Sequence, residues 1–307
     1  MIVNDALAMN ESNKIYVFKG SWITLTRPLT LTGSLSPIIA GTMYALYTGN
    51  INITLFIGLA IATLLIQSSV NMFNDYFDFK NGQDQNKWRM ASTPSPLYHP
   101  TLKTVFYIAC LLLLLAMIIG AWLVSRTNIW ILFTGLAGII CGVYYSFGKH
   151  SFSALGLGEV VAATFLGIVP MNLAFVIQGH HLNISIFLVS LLFSLLISTM
   201  ILTNNIRDLK KDAGFRQTLA LRLGYRKAMR LLASISIGTY ILLSLLVLFD
   251  IAPWQTLISL LSMPFAWFLY QSLRKEKTTI KYGCMQWASW HHMFFSMMFI
   301  IGLCAAL

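Results

Sequence analysis

The chain has 307 residues, of which 57% are hydrophobic and only 10% charged, with a mean hydropathy of +0.72. A soluble domain carries roughly 25% charged residues, so this composition excludes one and marks a polytopic membrane protein. The formal net charge of +11 does not point to nucleic acid, because the cytoplasmic loops of membrane proteins collect Lys and Arg.

Residues 1–20 form a polar segment without the apolar h-region of a cleavable signal. Beyond it, apolar runs near the ~20 residues that cross a bilayer predict about nine transmembrane helices in a single all-α domain. They cover Trp22–Leu46, Ile51–Asn74, Val105–Val124, Ile129–Tyr145, Glu159–Ile177, Ile184–Ile201, Leu231–Phe249, Trp254–Tyr270 and Trp287–Leu307. Pro28, Pro37, Pro170 and Pro264 fall inside these spans and are expected to kink them. Alternate loops hold all but one of the 21 Lys and Arg, leaving only Arg126 on the other face. That bias predicts a cell-membrane protein with a cytoplasmic N-terminus.

The four cysteines lack CxxC or Cys/His spacing and read as small buried hydrophobes rather than a disulfide framework. His180-His181 and His291-His292 read as interfacial or loop residues, since adjacent side chains split across helix faces.

The informative stretch is Asn71–Asp84, NMFNDYFDFKNGQD, which ends the second span. Asn74 and Asp78 stand at i and i+4, so on a helix they share a face; Asp84 follows Asn81-Gly82, a pair that predicts a turn. Asn204, Asp208 and Asp212 repeat the pattern at the end of the sixth span. Asn74 to Asn204 and Asp78 to Asp208 are both 130 residues apart. The equal offsets predict two pseudo-repeated four-helix halves plus a final helix, with both acidic ends facing one central cavity. Five of the chain's ten carboxylates, Asp75 included, lie in these two stretches. Carboxylates beside apolar helix repel one another unless a cation joins them.

Carboxylate and amide oxygens are hard ligands, and Mg²⁺ usually joins one or two carboxylates to substrate phosphates. Asn74, Asp78, Asp84, Asp208 and Asp212 are therefore candidate Mg²⁺ ligands around a diphosphate. Lys80, Lys87, Arg89, Arg207, Lys211 and Arg216 are candidate phosphate partners. A charged diphosphate on an isoprenoid tail suits the mouth of a greasy bundle. Tyr145, Phe73 or Phe77 could stabilise an allylic cation, although Tyr145 alone also fits an aromatic belt. Glu159 either caps the fifth span or lines the cavity. The segments 75–104 and 206–230 are candidate cytoplasmic lids; Arg216–Arg230 also fits an interfacial helix.

At these residues the sequence resembles the UbiA superfamily of intramembrane prenyltransferases, whose Asp-rich motifs are of the type NDxxDxxxD and DxxxD. Arg27-Pro28 resembles the Arg-Pro that opens the family's first helix, and Tyr145-Ser146 the Tyr-Ser that ends its fourth. The resemblance implies nine helices around a cavity, Mg²⁺, a polyprenyl diphosphate donor and an aromatic acceptor in the lipid bilayer. It also implies Asp78, Asp208 and Tyr145 as catalytic residues, with Arg27 and Asn204 near the diphosphate. NDYFDFKNGQD and NNIRD look most like the branch that prenylates 1,4-dihydroxy-2-naphthoate, which implies release of CO₂ and diphosphate and a demethylmenaquinone product. Two segments depart from that branch. Phe215-Arg216-Gln217-Thr218 stands where it has GKxT, and a Ser/Pro-rich run, Met90–Pro96, replaces a Gly-rich one. Both lie in the predicted lids, which leaves other aromatic or quinone precursors open as acceptors.

Two other classes fit the membrane acids less well. A secondary transporter usually holds its ions near the midplane on broken helices, whereas these acids sit at one edge. A CDP-alcohol phosphotransferase would carry a DGxxAR motif, which is absent from the sequence.

Overall fold

A computed structural model describes residues 15–91, 99–148, 150–274 and 283–307. The expectations for the N-terminal residues before 15, for 92–98 of the Ser/Pro-rich loop, for Lys149 and for the basic loop 275–282 lie outside them. The described chain is helical apart from one small sheet. Its helices are α1 (Trp22–Thr26), α2 (Pro28–Thr48), α3 (Ile53–Lys80), α4 (Leu102–Arg126), α5 (Trp130–Tyr144), α6 (Gly158–Ile177), α7 (Ile184–Arg207), α8 (Leu209–Asp212), α9 (Leu219–Leu248), α10 (Trp254–Arg274) and α11 (Cys284–Cys304). Seven of these, α2, α3, α4, α6, α7, α9 and α10, are long and apolar enough to cross a membrane. The shorter α5 and the less apolar α11 take the places of the two other expected spans. The protein is a multi-pass membrane protein.

The first expected span breaks in two. Pro28 disfavours a helical conformation in the residue before it, and Arg27 adopts the left-handed region at φ 53°, ψ 68°. Pro28 is therefore the first residue of α2 rather than a kink within it. In α6 the turns over Ala163–Ile168 widen into a π-helix just ahead of Pro170. Pro264 lies where the 3₁₀ first half of α10 gives way to α-helix at Met263. Helices α6 and α7 cross closely at Gly167, where a Cβ would stand 2.6 Å from Ser194 Cα.

The helix ends run further than the apolar pattern indicated. Helix α3 continues through the first motif to Lys80, so residues 75–80 are helix and not lid. Residues 219–230 are the start of α9, broken at Gly224 (φ 71°). There Ala220, Ala228 and Met229 are buried in the core, while Arg222, Arg226, Lys227 and Arg230 stay exposed. The polar N-terminal segment also contains a strand. β1 (Ile15–Phe18) pairs antiparallel with β2 (Trp88–Ala91), placing Phe18 opposite Trp88 and Val17 opposite Arg89. Phe18, Trp88, Phe79 and Tyr16 pack their rings together beneath it. This clasp ties the segment after α3 to the N-terminal side of α1.

Two further expectations change. His291 and His292 are fully buried on α11, not interfacial. Tyr240 bonds His291 and Ser36 bonds His292, so α9 and α2 each supply a partner for one of the adjacent rings. Cys110 and Cys304 are exposed on helix surfaces rather than buried, Cys141 is half-buried and Cys284 is buried. An apolar thiol facing lipid is no less stable there than inside the bundle.

Candidate active site

A cavity of about 760 Å³ is bounded by α2, α3, α5, α6, α7 and α11. Its shaft is apolar: Ile66, Val70, Gly138, Phe165, Leu173 and Ile197 line it. Its mouth collects nearly every polar group the motifs supply. Asn74, Asp78 and Asp84 enter from the first motif, Asn204, Asp208 and Asp212 from the second. Arg27, Lys87, Arg207, Lys211, Arg216 and Tyr145 line the same space.

Ion pairs fix this mouth. Asp75 is 3% exposed, and its Oδ1 accepts from Arg27 Nη2 at 2.9 Å and Lys87 Nζ at 2.6 Å. The left-handed turn at Arg27 makes the first contact possible, and the β1–β2 clasp sets up the second by holding Lys87 where Lys19 N–H bonds its carbonyl. Lys87 also pairs with Asp84 at 2.8 Å, and Lys211 reaches Asp84 from the second motif. Arg216 Nη2 donates to Asp78 at 2.5 Å, and its Nε donates to Gln83 at 2.9 Å. The two motifs, far apart in sequence, are thus cross-linked by Lys211 and Arg216. On the second motif Arg207 forks onto Asp208 at 2.8 and 2.6 Å and donates to Asn204 at 2.7 Å. Ser146 donates to Asn74 Oδ1.

These contacts set the carboxylates apart electrostatically. Burial alone would push Asp84 up, but Lys87 and Lys211 overcome it and hold the group at about 2. Asp212 has no such neighbour strong enough: burial pushes its carboxyl above the ordinary value, against the pull of Arg216.

The donor set suits a hard cation. Four carboxylates and two amide oxygens line one mouth, all oxygen donors of the kind Mg²⁺ takes. No three acids, His or Cys converge on one point among the described residues. An ion there would take one or two carboxylates and complete its shell from phosphate and water, as Mg²⁺ commonly does.

Not every candidate joins the mouth. Lys80 is exposed, with Nζ 6.0 Å from the Tyr76 ring centre, and Arg89 is exposed on β2; neither lines the cavity. Phe73 and Phe77 turn away to pack on Phe106 and Phe147, which leaves Tyr145 as the expected aromatic group facing the cavity. Glu159 does not cap its helix through its side chain; it accepts from Asn205 instead. The sequence reading missed Asp75 as the anchor of two bases, and Gln83, Ser146 and Asn205 as wall residues. Asp75 stood inside the motif and carried that signal.

A cation-rich mouth over a long apolar shaft defines a membrane-embedded enzyme for a substrate with an anionic head and a greasy tail. Residues 34–298 match the UbiA prenyltransferase family, and the chain belongs to it. The chain is similar to the 1,4-dihydroxy-2-naphthoate octaprenyltransferase of Bacillus subtilis (strain 168), 31% identical over 242 residues that cover 78% of each chain. The Escherichia coli (strain K12) protein of the same name is 26% identical over 253 residues, 80% of this chain and 82% of that one. Among solved structures, a UbiA homolog from Archaeoglobus fulgidus bound to GPP and Mg²⁺ has the same fold. It aligns with a TM-score of 0.63 at 16% identity, covering 94% of this chain and 99% of that one. The chain is a prenyltransferase.

Proposed function

We propose that this enzyme transfers a polyprenyl group from polyprenyl diphosphate to 1,4-dihydroxy-2-naphthoate, releasing diphosphate and CO₂ and giving demethylmenaquinone. The single observation that carries the reading is the convergence of both Asp motifs and five bases on one mouth above an apolar shaft. The names of the relatives in Bacillus subtilis and Escherichia coli favour the naphthoate as acceptor.

The tail of the donor would lie along the shaft, past Phe165 and Leu173, and its head would meet Arg27, Lys87, Arg207, Lys211 and Arg216. Those bases now pair with Asp75, Asp84, Asp208 and Asp78. A phosphate oxygen could share them, freeing carboxylate oxygens for a cation. Mg²⁺, held by Asn74, Asp78, Asp84, Asp208 and Asp212, would neutralise the diphosphate and make it a better leaving group. The same fold solved with GPP and Mg²⁺ supports this donor chemistry.

The allylic C–O bond breaks with its electron pair leaving on diphosphate. The ring carbon that bears the carboxylate supplies the pair for the new C–C bond. Loss of CO₂ then returns the C–C pair to the ring, so no ring proton need be removed. Tyr145 lines the cavity, where the quadrupole of an aromatic ring would favour developing positive charge. The apolar shaft keeps water from the allylic centre. The basic segments at this end favour a mouth on the cytoplasmic side of the cell membrane, with Gln83, Asp84 and Lys87 of one candidate lid and Arg207, Lys211 and Arg216 of the other lining it.

Incubating the purified protein with Mg²⁺, a polyprenyl diphosphate and a panel of aromatic acids, with products identified by mass, tests the reading. Decarboxylated prenyl-naphthol product is expected. Prenylation of some other acid alone would remove the naphthoate, and substrate flux in proteoliposomes without diphosphate release would restore a transporter.

A further inference from the structure

Asn204 and Asn205 adjoin in sequence, but an α-helix turns by about 100° per residue, and they face different partners. Asn204 accepts from Arg207 on the headgroup side. Asn205 turns toward α6, where its Nδ2 donates to Glu159 Oε1 at 2.7 Å. A carboxylate only accepts, so the contact fixes how the amide lies. Its nitrogen points to Glu159, which leaves the carbonyl Oδ1 for the cavity that Asn205 lines. Glu159 is 6% exposed, and its second oxygen, Oε2, is buried without a hydrogen-bond partner among the described residues. An unsatisfied buried carboxylate oxygen lowers stability, so packing does not account for an acid at this position. Tyr145 flanks the pair. It lines the same cavity, and its hydroxyl lies close over Gly158, where a Cβ would come within 3.0 Å.

We propose that Asn205, oriented by Glu159, forms the subsite that reads a ring hydroxyl of the aromatic acceptor. The hydroxyl donates to Asn205 Oδ1, and Glu159 is a positioning residue that holds the amide in its accepting orientation. The inference rests on the prenyltransferase reading above and adds where in the cavity the acceptor sits. Asn205 lines the cavity with Glu159 buried behind it, and an accepting amide oxygen there repels a phosphate oxygen and attracts a hydroxyl. The donor head, drawn to the bases of the mouth, therefore does not compete for it. An acceptor held there lies beside Tyr145, next to the space where the allylic cation would form.

The test is steady-state kinetics on the full chain in lipid nanodiscs, with Mg²⁺, a polyprenyl diphosphate, 1,4-dihydroxy-2-naphthoate and its two monohydroxy analogues. Asn205→Ala is expected to raise the acceptor KM about tenfold, the worth of one hydrogen bond, with donor KM changed less than about twofold. It should also erase the preference for the dihydroxy acid over one monohydroxy analogue. Glu159→Ala should show the same split, and the double variant should be no worse than either single one, because the two act as a unit. Glu159→Gln, whose carbonyl can still accept from Asn205, should recover most of the loss. A parallel rise in donor and acceptor KM would overturn the subsite. So would a fall in kcat for Glu159→Gln with acceptor KM untouched, which is the mark of proton transfer. If Glu159→Ala does not fold, Asn205→Ala with the analogues decides. Turnover of a different aromatic acid would remove the naphthoate but leave the KM split to judge the subsite. No turnover of any aromatic acid by the wild-type chain would overturn both readings.

Discussion

The two acidic helix ends share a cavity but are built in different ways. At the end of α3 the carboxylates are fastened by cations from elsewhere in the chain: Arg27 ahead of α2, Lys87 beside β2, Lys211 on α8 and Arg216 beyond it. At the end of α7, Asp208 is held by its own neighbour Arg207, and no ion pair fixes Asp212 among the described residues. The first motif therefore belongs to the framework as well as to the site. The second is an open set of oxygens attached to a helix that other contacts hold in place.

That difference can be broken at its strongest point. Asp78→Ala and Asp208→Ala are each expected to lower Mg²⁺-dependent prenyl transfer by at least about a hundredfold, the scale of one lost electrostatic contact at a reacting centre. Their stabilities should diverge. Asp78→Ala strands the Arg216 guanidinium, whose side chain is only 15% exposed, and loss of one partner from such a pair costs on the order of 3 kcal/mol. The Arg207–Asp208 pair is more exposed, at 31% and 18%, and its loss should cost below about 1 kcal/mol. Thermal unfolding in detergent beside the activity assay separates the two. Equal losses of stability would mean that the two helix ends are held alike.

Asp75 extends the framework argument to a residue that lies outside the cavity. Its one oxygen holds two bases of the mouth, Arg27 and Lys87. Asp75→Asn keeps the shape and removes the charge. Donor KM should rise about tenfold while acceptor KM stays near its starting value, because both freed bases belong to the headgroup side.

The pH dependence should differ in sign between Asp84 and Asp212. The folded pKa of Asp84, about 2, lies below its ordinary value because Lys87 and Lys211 outweigh burial. Its stabilising contribution is whole above the unfolded value near 4 and fades as pH falls toward about 2. Asp84→Asn should therefore lower the melting temperature at pH 7 and flatten the acid limb. Asp212 is the reverse: burial raises its folded pKa, so its charge opposes folding at neutral pH. Asp212→Asn should raise the melting temperature at pH 7 while reducing transfer. Melting curves across the acid range check both signs.

The membrane class, the apolar spans and the two motifs were legible because each depends on local pattern: length of an apolar run, i to i+4 spacing, and lysine and arginine bias. Of the expected ligands and bases, all but Lys80 and Arg89 line the mouth. What was not legible depends on the backbone leaving its regular path. Arg27 reaches Asp75 because the first span breaks before Pro28, and an apolar run gives no sign of a left-handed residue. Lys87 reaches Asp75 and Asp84 because a strand from a polar tail pairs with Trp88–Ala91, and four alternating residues in such a tail are a weak signal. The pairing of Glu159 with Asn205 needs the relative rotation of two helices, which no linear spacing contains.

The smallest expected effect marks the outer edge of the site. Lys80 lies within the first motif and Arg89 two residues beyond Lys87, yet both side chains are exposed and neither lines the cavity. Exposed charges are screened over about 8–10 Å at physiological ionic strength, so proximity in sequence gives them little hold on a headgroup seated in the mouth. Lys80→Ala and Arg89→Ala should change kcat/KM for the donor by less than about twofold, whereas Lys87→Ala should raise donor KM about tenfold. A loss at Arg89 equal to that at Lys87 would mean that the diphosphate reaches out over the β1–β2 clasp. The framework that holds the carboxylates would then itself bind the substrate, and the contrast between the two helix ends would narrow to one of degree.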